Sequence, residues 1–73
     1  MYNIIKLNEK DNVAVAPMLI PAHTQVDSNV ISSDAIPFGH KIALSKIEKN
    51  SFIYKYGQII GIASKDILPG EHV

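Results

Sequence analysis

Proline and glycine punctuate this chain so often that no window of helical length keeps an unbroken apolar period, which excludes long helices at the outset. The best helical competitor, "DNVAVAPML", is interrupted by Pro17. What remains are short β-branched or aromatic runs bounded by turn residues. "YNIIKL" carries Ile4 and Ile5 between polar residues, and "NVAVA" alternates Val13 and Val15 with small side chains. "FIYKY" sets Phe52, Tyr54 and Tyr56 on one face and Ile53 and Lys55 on the other. Gly57 separates that run from "QIIGIA", the pattern of a tight hairpin with positive φ at the glycine. Gly61 inside the second run marks a bulge or a close backbone approach. The expected class is all-β, with short strands and tight turns.

A repeated phrase organises these strands. Ile20 to Val26, Ile47 to Ile53 and Ile67 to Val73 each place two aliphatic residues around a five-residue gap. The fourth position of the frame is His23, Asn50 or Gly70. Glycine accepts positive φ freely, and Asn and His are enriched there among the other residues. Each phrase therefore reads as a tight turn leading into a strand, with positive φ at its fourth position and both aliphatic ends directed into the core.

Length and composition bound the rest. Seventy-three residues form one domain, 1–73, and a chain this short buries only about 60% of its unfolded surface. Support from a partner chain or a larger domain is expected, and self-association stays open. With 47% hydrophobic and 19% charged residues the chain is globular. Seven basic residues cancel seven acidic ones, so it lacks the basic face that nucleic-acid phosphates require. Without cysteine there is neither a disulfide framework nor a thiolate metal site. No apolar run is long enough for a signal peptide or a membrane span, which leaves a cytoplasmic location as the expectation.

Three histidines and one lysine carry the candidate chemistry. In "PFGHKIAL", Gly39 makes a sharp turn that can present His40 and Lys41 to one small ligand. Lysine supplies a point charge suited to a carboxylate; a neutral imidazole can bind metal or shuttle a proton. The competing reading is a plain turn with two solvated side chains. In "PGEHV", Glu71 and His72 are neighbours and point to opposite faces of a strand, so they cannot ligate one ion together. His72 alone is a candidate ligand or acid/base, set against an ordinary edge-strand residue. His23 belongs to its turn, and Asp11 and Asn12 read as turn or cap residues. There is no phosphate loop, no nucleophile elbow and no carboxylate pair. On residues alone, the chain is a binding module or an accessory part of an enzyme.

Four phrases in register, "DNVAVA", "GHKIAL", "KYGQIIG" and "DILPGEHV", resemble the small SAF domain of the altronate and galactarate dehydratases. The resemblance covers nearly the whole chain and is densest over residues 36–73. It implies a β-clip fold, similar to type III antifreeze proteins and the C-terminal domain of sialic acid synthases. It also implies a part in a lyase reaction that removes water from a sugar acid to give a 2-keto-3-deoxy acid. His40, Lys41 and His72 fall where accessory catalytic roles to a large catalytic domain or subunit are expected. That larger part would hold divalent iron or manganese; the isolated domain is expected to hold no cofactor and to have no activity alone. Two departures stand out: Asn50 and His23 replace the family's usual turn glycine, and the family runs past "GEHV" into a His-x-His-Asn segment. The small subunit of a sulfolactate sulfo-lyase shares the domain and is the runner-up, followed by a non-catalytic carbohydrate- or anion-binding module.

Overall fold

A computed structural model describes residues 4–73. Among them there is no helix, and so none long and apolar enough to cross a membrane. Six strands form three antiparallel pairs: β1 (Val13–Val15) with β4 (Lys41–Ala43), β2 (Gln25–Asp27) with β3 (Val30–Ile31), and β5 (Phe52–Lys55) with β6 (Gln58–Ile62). This is the folded-over, all-β arrangement of short strands expected from the sequence. Of the first apolar run, Tyr2 and Asn3 lie outside the described residues. Its remainder makes a single bridge, Ile5 opposite Val15.

The repeated phrase has four copies, not three. The sequence reading missed Ile36 to Ile42, which shares the frame. Each copy opens on a buried isoleucine: Ile20, Ile36, Ile47 or Ile67. Three residues later the backbone takes a positive φ, 62° at His23, 80° at Gly39, 73° at Asn50 and 91° at Gly70. The isoleucines pair in twos through reciprocal backbone bonds, Ile20 with Ile36 and Ile47 with Ile67.

Two halves of the chain thus repeat one hydrogen-bond scheme. Gly39 N–H donates to Ala16 and Gly70 N–H to Ala43; His23 N–H donates to Ser32 and Asn50 N–H to Ala63. Before the hairpin, equivalents such as Ile20 and Ile47 lie 27 positions apart. After it, Ile36 and Ile67 lie 31 apart, so the hairpin absorbs the whole length difference between the halves. The first half builds its core on Ala14, Ala16, Ile20, Val26, Val30, Ile36 and Ile42. The second builds on Val13, Ala43, Ile47, Ala63 and Ile67. The seam between the halves runs along β4, where Ile42 bridges His72 and Val73 N–H donates to Lys41.

Three of the four turns close with a direct bond from the fourth residue to the first, with positive φ at the third, as in type II turns. These bonds are His40 to Pro37, Ser51 to Glu48 and Glu71 to Leu68. The turn at His23 differs. There the fully buried Ser32 hydroxyl accepts from Thr24 N–H (2.9 Å) and donates to Pro21 carbonyl (2.7 Å), relaying the bond.

The β5–β6 hairpin bends at Tyr56-Gly57, with φ of 59° and 70°, the two-residue turn whose twist matches the flanking strands. Positive φ at Gly57 follows from the sequence; the same at Tyr56 was not foreseen. Ile60 is left unpaired beside Gly61, so the expected irregularity is a bulge.

Candidate functional site

The turn Pro37–His40 and the turn Leu68–Glu71 are equivalent in the two halves, and each delivers the chain to the seam. Gly39 holds positive φ so that His40 can leave the turn, its carbonyl accepting from Ala16 N–H at 2.9 Å. On the other side, Pro69 and Gly70 occupy the second and third turn positions, which their backbones suit. Glu71 fastens that turn by accepting from Leu68 N–H at 2.6 Å. His72 then enters the bridge opposite Ile42, and its N–H donates to the Asp34 carboxylate at 3.2 Å.

These two turns bring His40 and His72 together. His40 Nδ1 lies 2.8 Å from His72 Nε2, and the rings stack at 5.0 Å between centroids with a 29° tilt. Both side chains are exposed. At that separation one ring nitrogen donates and the other accepts, so at least one imidazole is neutral. The outward nitrogens, His40 Nε2 and His72 Nδ1, have no hydrogen-bond partner among the described residues.

Lys41 is not drawn into the pair. It opens β4 opposite Val15 and is half-buried; strand alternation directs it away from the face its neighbours use. Among the described residues no hydrogen bond joins it to either histidine. His23 stays in its turn, as its sequence position indicates.

A cleft of about 280 Å³ borders His72. Ile53, Ile62 and Val73 line its apolar side; Asp34 and Lys65 line its polar side. Lys65 was not singled out by the sequence, where a lysine in "ASKDI" carries no motif. Its exposed ammonium is the cation that shares a cleft with His72.

Asp11 and Asn12 do more than cap a turn. Asp11 is only 5% exposed, and its two carboxylate oxygens accept from the N–H groups of Tyr56 (3.1 Å) and Gly57 (2.9 Å). Asn12 accepts from Tyr54 N–H (2.8 Å) and donates to Phe52 carbonyl (3.0 Å), so one amide side chain stands in for a neighbouring strand. Together they tie β1 to β5 across some forty residues of sequence. The phrase "DNVAVA" offered a signal for this, an acid and an amide directly before a buried strand, but no local pattern names their distant partners.

Among the described residues no three His, Cys, Asp or Glu side chains gather in a way that would hold a metal ion. The iron or manganese implied by the resemblance therefore finds no complete donor set here.

Comparison with known proteins places the chain in a family. The chain is 42% identical over its whole length to an altronate dehydratase of Bacillus subtilis and 40% identical over 94% of its length to one of Escherichia coli. It is 35% identical over 94% of its length to the Escherichia coli galactarate dehydratase (L-threo-forming). It spans only 14–15% of the length of these relatives. A shorter match, 42% identity over 55% of the chain, reaches the alpha subunit of a (2R)-sulfolactate sulfo-lyase from Chromohalobacter salexigens. The family pattern of the altronate/galactarate dehydratase SAF domain matches residues 2–73, and the chain belongs to that family.

Proposed function

We propose that this chain is the SAF domain of a sugar-acid dehydratase and that the His40–His72 pair faces an active site supplied mainly by a larger catalytic part. The observation that carries the reading is the pair itself: two exposed imidazoles, 32 positions apart in sequence, converging to 2.8 Å on the seam of the domain. Solvated turn residues have no reason to converge in this way.

Removal of water from a sugar acid breaks a C–H bond next to the carboxylate and a C–O bond one carbon further on. The enediolate formed in between needs positive charge or a metal close by. No metal centre is assigned to the residues here, and no step is routed through one. A base of the larger catalytic part takes the carbon-bound proton; what the pair supplies is the proton for the leaving hydroxyl. One imidazolium and one imidazole share the bridging hydrogen, and an outward N–H, on His40 Nε2 or His72 Nδ1, is given to the leaving hydroxyl as its C–O bond breaks. The departing group leaves as water, and the enol left behind becomes the 2-keto-3-deoxy acid. Lys41, adjacent in sequence, adds positive charge without touching the pair, and Lys65 offers the substrate carboxylate a cation in the neighbouring cleft.

Two further observations support a larger assembly. Phe38 is 74% exposed, and Phe52, Ile59 and Ile62 are also open to solvent, more apolar surface than a chain of this size covers by itself. The cytoplasmic setting is part of the same proposal. The sulfo-lyase reading has a weaker basis, because its match covers 55% of the chain against 94–100% for the dehydratases.

The test places His40→Ala and His72→Ala in the complete enzyme and follows 2-keto acid release from altronate and galactarate. Each should lower turnover by roughly a hundredfold, the scale for losing a general acid, while the isolated domain releases none. Lys41→Ala should cost less. Turnover within twofold of the parent for both histidine variants would overturn the reading, as would turnover by the isolated chain.

A further inference from the structure

The geometry that lets His40 and His72 share a proton also suits a different occupant. We propose that the pair is a two-imidazole seat for a late first-row divalent cation, nickel or zinc, which competes with the shared proton. The proposal concerns the same residues as the dehydratase reading but stands apart from it, since it needs neither the larger part of the enzyme nor turnover.

The distances carry it. With metal–nitrogen bonds of about 2.0–2.1 Å, two imidazole nitrogens on one ion sit about 3.0 Å apart in a right-angled arrangement and about 3.4 Å apart in a tetrahedral one. The pair stands at 2.8 Å with both nitrogens close to the line between the ring centroids, so each exposed ring must turn by about 35–45° before both lone pairs meet one ion. After that turn each centroid would lie about 3.2 Å from the ion and the two about 4.5–5.2 Å apart, a span that includes the observed 5.0 Å, so the rings need to turn but not to separate. The backbone beneath both rings is already fixed. His40 carbonyl is held by Ala16, His72 N–H by Asp34, and Ile42 bridges His72 across the seam.

The proton balance also closes. In the neutral pair one N–H points at the other ring's lone pair. For both lone pairs to face a metal, that hydrogen must move to the far nitrogen of its own ring, His40 Nε2 or His72 Nδ1. Neither of those nitrogens has a partner among the described residues, so the second tautomer costs only the hydrogen bond between the two rings, which the metal replaces. No net proton is released from the neutral pair, one is released from the singly protonated pair, and water fills the remaining coordination positions. The donor set then decides selectivity. Two imidazoles favour nickel and zinc, and the nearby Asp34 carboxylate is engaged by the His72 backbone N–H, whereas manganese prefers oxygen ligands and stands lowest in affinity. A metal seated there would also remove the proton that the pair holds for catalysis.

The experiment titrates the 73-residue chain with zinc, nickel and manganese chlorides, reading heat by calorimetry and, for zinc, the imidazole signals by NMR. Saturable binding of one ion per chain is expected for zinc and nickel, with shifts confined to His40 and His72. It should disappear in His40→Ala and in His72→Ala and persist in His23→Ala. Manganese should give no saturation at concentrations that saturate nickel. Should an alanine variant fail to fold by its amide spectrum, His40→Gln and His72→Gln replace it. Absence of saturable zinc or nickel binding up to millimolar concentration overturns the proposal, as does binding that survives loss of either histidine. Manganese binding as strongly as nickel would overturn the selectivity.

Discussion

Gly39 and Gly70 occupy the same turn position in the two halves, with φ of 80° and 91°, yet their surroundings differ completely. A Cβ built on Gly39 meets nothing within 4 Å. One built on Gly70 would lie on top of the Ile31 carbonyl oxygen, with Ser32 backbone just behind. Gly39→Ala therefore carries only the cost of a side chain at positive φ, about 1–2 kcal/mol. Gly70→Ala carries that and a backbone collision, a further 1–3 kcal/mol, about 2–5 kcal/mol in all. The collision also pushes apart the segment that Ser33 N–H pins to Gly70 carbonyl at 2.9 Å. In a domain of 73 residues each kcal/mol lowers the melting temperature by about 4–8 °C. Gly39→Ala should thus melt about 5–15 °C below the parent, and Gly70→Ala should lose a large part of the total stability, about 4–11 kcal/mol for this length. The chain has no tryptophan, so urea unfolding is best followed by circular dichroism with tyrosine fluorescence as the second probe. Equal losses in the two variants, or a larger loss for Gly39→Ala, would refute the reasoning.

Other perturbations separate the remaining contacts. Asp11→Ala removes the acceptor of two hairpin N–H groups and should cost about 2–3 kcal/mol, with Asp11→Asn between it and the parent in the same urea titration. Asn50→Gly should be neutral or mildly stabilising at φ 73°, whereas Asn50→Val should cost about 1–2 kcal/mol; equal melting temperatures for Asn50→Val and the parent would contradict this. Ser32→Ala cuts the relay between Thr24 and Pro21 and should cost about 1–3 kcal/mol. His40→Ala should shift stability by no more than about 0.5 kcal/mol, so that any loss of activity is not a loss of fold.

Much of the fold was legible because turns in this chain are written in local chemistry. Asn50, Gly70 and Gly57 announce positive φ by residue type alone, and the aliphatic frame around them marks which ends are buried. Tyr56 was not legible, since its positive φ is imposed by the two-residue hairpin and by Asp11 gripping both turn amides. The β2–β3 hairpin was also missed, because its strands are only three and two residues long and Ile31 is an exposed aliphatic residue beside buried Val30. At the site, His40 and His72 stood out as residues, but their contact depends on a seam between strands that no local pattern specifies. Lys41 illustrates the converse: a neighbour in sequence that the strand turns away from the pair.

The seam has a kinetic consequence. Each half can form its own isoleucine bridge and hairpin without the other, because those bonds lie within it. His40 belongs to the end of the first half and His72 to the end of the second, and only the long-range closure along β4 brings them into contact. Contacts so distant in sequence are slow to form, because the chain between them must be ordered first. The histidine pair is thus assembled only once the two halves close on one another. A substitution that loosens the seam, even one far from either ring, would silence the site while most of the chain still counted as folded.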